Sequence, residues 1–217
     1  MKAKNIRILF QGDSITDCGR SREIQEPNVN LGQGYVQMTA GRLLYENPDK
    51  KIEVFNRGIG GHRVVDLYAR WKIDALNMKP DIISILIGVN DTWHEFAAKN
   101  GVDVARYAQI YRMILEWTLK ELPRVKLIIC EPFALKCGVV KKEWITEING
   151  RRKVAAALAK EFNAVFIPFQ AEFNKAAKLA CPEYWLVDGV HPTYAGHTLM
   201  SDFWLKSTSN GLGIVTK

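Results

Sequence analysis

Cysteine is scarce in this chain, and no two cysteines lie close together. Cys18, Cys130, Cys137 and Cys181 form no Cys-x-x-Cys pair and no metal-ligand spacing, so no metal site is indicated and buried thiols are the expectation for all four. No apolar run approaches the roughly 20 residues that span a bilayer. The opening MKAKNIRILF has a short apolar core that runs into a Gly-Asp turn, without the length or the small-residue cleavage site of a secretory signal. The expectation is a cytoplasmic protein without a membrane partner.

Clustered charge is also missing. The formal net charge is +7, from 30 basic and 23 acidic residues, yet the excess is spread along the chain. Its densest runs, PDKK at 48–51, KK at 141–142 and RRK at 151–153, carry no interleaved aromatics of the kind that single-strand binding needs. They read as solvated helix faces, and no nucleic-acid partner is expected. There is no low-complexity tract, linker or internal repeat at solenoid or propeller period. With 47% apolar and 24% charged residues, residues 1–217 read as one soluble globular domain.

What is present is alternation. Apolar runs recur at 6–10, 52–56, 81–88, 125–130 and 164–169, and several are apolar at nearly every position, as strands buried on both sides must be. Between them, residues 34–46, 63–78 and 104–122 have helical period, and a last helix is predicted over 193–206. Strand and helix alternating in this way predict an α/β protein: a five-stranded parallel sheet with helices on both faces. Ligands of such sheets bind beyond the carboxyl ends of the strands.

At the first of those ends stands FQGDSITDCGR, residues 10–20. A serine here is either a helix cap or a nucleophile, since Ser and Asp both accept hydrogen bonds from the first turn of a helix. The second end runs into NRGIGGHR, with Asn56, Gly58, Gly60 and Gly61; the third into GVNDTW, with Gly88, Asn90, Asp91 and Trp93. Each alone is ordinary turn chemistry. Near the carboxyl terminus, however, DGVHP puts Asp188 three residues before His191, an offset that brings carboxylate and imidazole to one face. His62 and His94 also lie beside strand ends, whereas His197 falls inside the last helix.

Serine hydrolysis needs a hydroxyl, a base, a carboxylate that orients the base, and donors aimed at the oxyanion. Ser14, His191 and Asp188 fill the first three roles. The backbone N–H groups of Ser14 and Gly61 and the side-chain amide of Asn90 are candidate donors.

These residues resemble the four blocks of the SGNH, or GDSL-type, hydrolase superfamily, and the likeness spans almost the whole chain. Gly12-Asp13-Ser14 matches the first block, Gly61 the second, Gly88 to Asp91 the Gly-x-Asn-Asp block, and Asp188 to His191 the Asp-x-x-His block. The resemblance implies a flavodoxin-like three-layer α/β/α sandwich, a Ser14–His191–Asp188 triad, an oxyanion hole from Ser14, Gly61 and Asn90, and no metal or organic cofactor. Ser14 is not in a Gly-x-Ser-x-Gly elbow. Isoleucine follows it where the family's short name has leucine, a swap that touches nothing catalytic. Residues around the blocks look most like the intracellular acetylxylan esterase branch, which implies an acetylated sugar as the small-molecule substrate.

Trp93 and Trp185 either stack on a sugar or belong to the core. Asp17 and Arg63 either bond sugar hydroxyls or pair with each other, and Asp13 is a further candidate substrate contact. A lysophospholipase or thioesterase would share the machinery and differ in the pocket. A phosphate or nucleotide binder would use the strand ends without needing Asp188 and His191 together. Finally, the aromatic density of 104–117, with Phe203 and Trp204, serves either a homo-oligomer interface or packing between helices of one monomer.

Overall fold

The computed structural model describes residues 5–209. Five strands, β1 (Ile6–Gly12), β2 (Ile52–Asn56), β3 (Ile82–Leu86), β4 (Lys126–Cys130) and β5 (Val165–Ile167), form one sheet in the order β2-β1-β3-β4-β5. All four pairings are parallel. The order reverses at β1 and β3, whose carboxyl ends therefore flank the crevice where doubly wound sheets bind ligands. The register puts Gly12 opposite Leu86 at that crevice.

Successive strand residues point to opposite faces, and both faces are covered. Ile8, Phe10, Ile82 and Leu86 join one core with Tyr35, Phe169 and Trp204. Leu9, Ile83 and Ile85 join the other with Trp71, Tyr107 and Tyr111. The first core is roofed by α2 (Tyr35–Glu46), α7 (Phe169–Ala176) and α9 (Tyr194–Thr208). The second is roofed by α3 (Val64–Asp74), α5 (Val104–Glu121) and part of α6 (Lys142–Glu161). This is the three-layer α/β/α arrangement. Ser84 is the polar residue of β3; fully buried, it accepts the Trp204 indole N–H at 3.0 Å, and leaving such a group unpaired costs about 1–3 kcal/mol.

Several boundaries shift for local reasons. The expected strand 164–169 contracts to Val165–Ile167, because Pro168 has no N–H to donate to a ladder and starts α7 instead. The expected strand 81–88 stops at Leu86, since Gly88, at φ 130°, turns the chain into α4 (Val89–Ala98). The helix expected over 63–78 ends at Asp74; a 3₁₀ turn, Leu76–Met78, and left-handed Lys79 lead into Pro80. Only one stripe of the 20-residue α6 is apolar, which hid it within a charged stretch.

The aromatics of 104–117 pack inside the chain. Tyr107 and Tyr111 are fully buried and meet edge-to-face, while Trp204 is core and Phe203 leans on Phe169. Nor are all cysteines buried: Cys130 and Cys137 are, but Cys18 is half-exposed and Cys181 exposed, because Cys181 precedes the short surface helix α8 (Pro182–Trp185).

Candidate active site

β1 delivers the chain to Gly12, where a Cβ would stand 2.4 Å from both the Leu86 carbonyl and the Thr16 hydroxyl, so only glycine fits between β3 and the following turn. The one-turn helix α1 (Ser14–Asp17) begins at once, capped by the Asp13 carboxylate, which accepts the Ile15 N–H at 3.0 Å. Ser14 is the first helical residue, and its hydroxyl lies 2.9 Å from His191 Nε2. On the other side of the imidazole, Nδ1 is 2.7 Å from Asp188 Oδ2. Asp188 Oδ1 accepts the backbone N–H groups of Val190 and His191. Burial pushes the Asp188 carboxyl up, but the hydrogen bonds from His191 and Val190 outweigh it and hold the group below the ordinary carboxylate range.

The turn that presents this pair is narrow. Leu186 bridges to Pro192, and Gly189 sits at φ 92°, where a Cβ would run into the Cys137 and Leu135 carbonyls. Trp93, midway along α4, meets the His191 ring edge-to-face at 5.7 Å; it is half-buried and borders the site.

The second and third strand ends are stitched to this centre. Asn56 donates to the Thr16 and Leu31 carbonyls and accepts the Gly58 N–H, so it acts as a staple under α1. Gly60 donates its N–H to Asp17, and a Cβ on it would stand 3.8 Å from Ser14 Cβ. His94 donates from Nε2 to the Gly61 carbonyl. The Asn90 amide donates to the His62 carbonyl at 3.2 Å, and the buried Asp91 carboxylate accepts the Val64 N–H. Two hydrogen bonds thus tie the Gly61–His62 segment to α4, through Asn90 and His94.

The structure bears on four sequence expectations. Asp13 is 1% exposed and lies under the turn, its Oδ1 capping α1, rather than at the surface of the site. Asp17 and Arg63 do not pair: Asp17 binds Arg22 and the Gly60 N–H, while Arg63 binds Asp66 and Asn100 across the start of α3. Trp93 and Trp185 are both half-buried and both pack against the first core, but only Trp93 meets the His191 ring; Trp185 meets Tyr184. Of the histidines at strand ends, only His191 reaches Ser14. His62 instead accepts from Arg70 through Nδ1, and burial with the Arg70 charge lowers its pKa.

His197 accepts the Tyr35 N–H through Nδ1, which places its proton on Nε2 toward Cys18 Sγ, 3.4 Å away. Burial, with the His191 charge, lowers it to about 4, so it stays neutral.

The hollow beside Ser14 measures about 550 Å³ and is lined by Asp17, Cys18, Gly19, Arg20, Arg22 and Gly60. Arg20 and Arg22 are not among the expected site residues; Arg20 closes the FQGDSITDCGR stretch and Arg22 follows two residues later. A larger hollow of about 690 Å³ lies at the amino ends of the strands, around Arg7, Glu53, Lys79 and Asp81. It holds no nucleophile with a base. Among the described residues no three His, Cys, Asp or Glu side chains form a metal-binding group, and no helix is long and apolar enough to cross a membrane.

A hydroxyl, imidazole and carboxylate in line at the switch point of a doubly wound sheet define an acyl-transfer class of site. The profile of the GDSL-like lipase/acylhydrolase family matches residues 10–199, and the chain belongs to that family. It is a carboxylic ester hydrolase. It is 36% identical over 207 residues to an acetylxylan esterase of Geobacillus stearothermophilus, with 92% of each chain covered. A crystal structure of an acetylxylan esterase from Geobacillus stearothermophilus has a TM-score of 0.86 at 35% identity, covering 99% of both chains. A structure described as a GDSL-like lipase from Parabacteroides merdae has a TM-score of 0.92 at 42% identity, covering 95% of this chain and 97% of that one. Structures of catalytic mutants of the Geobacillus enzyme have a serine, an aspartate or a histidine replaced by alanine.

Proposed function

We propose that the protein removes O-acetyl groups from xylo-oligosaccharides through an acyl-enzyme on Ser14. The observation that carries this reading is the unbroken chain Ser14 Oγ, His191 and Asp188, with links of 2.9 and 2.7 Å. In the proposed reaction Ser14 Oγ attacks the acetyl carbonyl carbon while its proton passes to His191 Nε2. Asp188 holds the proton already on Nδ1 and offsets the imidazolium charge. The negative oxygen is met by the Ser14 and Gly61 N–H groups and the Asn90 amide. The sugar–oxygen bond to the acyl carbon then breaks, and the sugar oxygen takes the proton from His191. Water repeats the sequence on the acyl-enzyme and releases acetate.

The acetyl-sugar part is supported by the name of the Geobacillus relative. The lysophospholipase alternative differs in the length of the acyl group, which a panel of esters reads. Acetate measured directly from acetylated xylo-oligosaccharides, beside a panel of p-nitrophenyl esters, tests the reading: release from the sugars is expected, and turnover confined to long-chain esters would reject it.

A homo-oligomer belongs to this proposal too. Its support is the exposed apolar set Leu179, Tyr184, Val187 and Tyr194, all close in sequence to the Asp188–His191 turn. Light scattering that returns the monomer mass of 24.6 kDa at every dilution discards it.

A further inference from the structure

A second hollow adjoins the one at Ser14. It measures about 470 Å³, within the range of about 300–1,000 Å³ usual for small-ligand sites, and lies between the 19–33 loop and α2. The two hollows share Gly19, which carries no side chain to stand between them. One wall is a single face of α2: Gln37, Ala40, Gly41 and Leu44 recur at the spacing that stacks side chains along a helix.

The lining has a particular chemistry. None of its residues is ionisable, in a chain whose charged residues make up 24%. The side-chain amides of Asn30, Gln33 and Gln37 hold no hydrogen bond among the described residues. Asn28, by contrast, gives its amide to the Ile52 carbonyl and accepts the Val54 N–H, which fixes the loop against β2 and makes the trough a formed wall. A primary amide offers donors and an acceptor side by side, the match for a sugar hydroxyl, which is both. An anion would call for a cation here, and an acyl chain for a continuous apolar lining.

We infer that this trough binds the neighbouring sugar unit of a neutral oligosaccharide whose acetyl group is held at Ser14. The inference rests on the deacetylase reading above and adds the place where the sugar chain is held: the wall between the 19–33 loop and α2, one unit from the reacting ester. Binding energy gathered there lowers KM for oligomers over single sugars.

The test compares p-nitrophenyl acetate, acetylated xylose and acetylated xylotriose on wild type, Gly41→Trp and Gln37→Ala. A side chain at Gly41 meets open space, and tryptophan is a better helix former than glycine, so the first variant fills the trough without straining α2. Wild type is expected to favour the trisaccharide over the monosaccharide by about tenfold in kcat/KM, with the difference in KM. Gly41→Trp is expected to erase that preference through KM, and Gln37→Ala to reduce it about threefold, the scale of one lost neutral hydrogen bond. Circular dichroism and the p-nitrophenyl acetate rate report whether each variant is folded. Equal handling of the two sugars by wild type, or a trisaccharide preference that survives both substitutions, overturns the trough while leaving the deacetylase reading in place. Hydrolysis of p-nitrophenyl acetate with neither sugar turned over overturns both.

Discussion

Asp13 Oδ1 accepts the Ile15 N–H at 3.0 Å, so the cap of α1 is the aspartate and the adjacent Ser14 hydroxyl is left for His191. A Gly-Asp-Ser turn offers two side chains for one capping task. Here they divide the work: the buried carboxylate satisfies the backbone, and the half-buried hydroxyl faces the crevice. The turn can therefore hold its shape without the hydroxyl.

Ser14→Ala should abolish hydrolysis of p-nitrophenyl acetate while leaving the melting temperature near wild type, because the cap stays on Asp13. A serine-directed organophosphonate should add one label, on the peptide that holds Ser14, and none to the variant. Undiminished turnover by the alanine variant, read in a simple absorbance assay, would mean that another nucleophile operates.

Asp188→Asn tests the orienting carboxylate. The asparagine oxygen keeps an acceptor for the Val190 or His191 N–H, but its amide group no longer favours the tautomer with the proton on Nδ1, so kcat should drop by about 10⁴-fold, as it does for the equivalent change in serine proteases. A variant with kcat near that of wild type would contradict this.

Asn90→Ala removes one proposed oxyanion donor and its bond to the His62 carbonyl. A fall of about 10²–10³ in kcat is expected, with KM little changed, because the donor acts on charge that exists only in the transition state. A loss confined to KM would instead mark Asn90 as a ground-state contact.

Asp13→Asn makes a prediction about stability. Burial pushes the Asp13 carboxyl up to about 7, against the pull of the Ile15 N–H and the His191 charge. Between about pH 4 and pH 7 the unfolded chain gives up this proton while the folded one keeps it, so this group's contribution is greatest below the unfolded value and is lost as pH rises through the folded one. Asparagine keeps the capping oxygen and cannot ionise. The melting temperature of the variant relative to wild type should therefore be higher at pH 8 than at pH 5, and calorimetry showing the reverse order would refute the buried-acid account.

Acyl length is the last test. An enzyme for acetyl esters has one methyl group to bury, whereas a groove built for longer chains gains about 0.8 kcal/mol for each added methylene. A steep decline in kcat/KM from acetyl to octanoyl p-nitrophenyl esters is expected, and a rise along that series would favour a lipid substrate.

By itself the sequence determined the sheet and the order of the chemistry along the chain. Strands such as IISIL are apolar at almost every position because both faces are covered, and that pattern is local enough to read. The Asp188–His191 offset is local too. The tertiary structure decided everything that depends on groups distant in the chain. Ser14 and His191 are 177 residues apart, and their contact exists because parallel strands bring every carboxyl end to one side. Whether Asp17 met Arg63 or Arg22, whether Trp93 or Trp185 bordered the imidazole, and whether the aromatics of α5 faced a partner or the core were all questions of packing. Each of those side chains has more than one chemically suitable neighbour, and only the folded geometry selects among them.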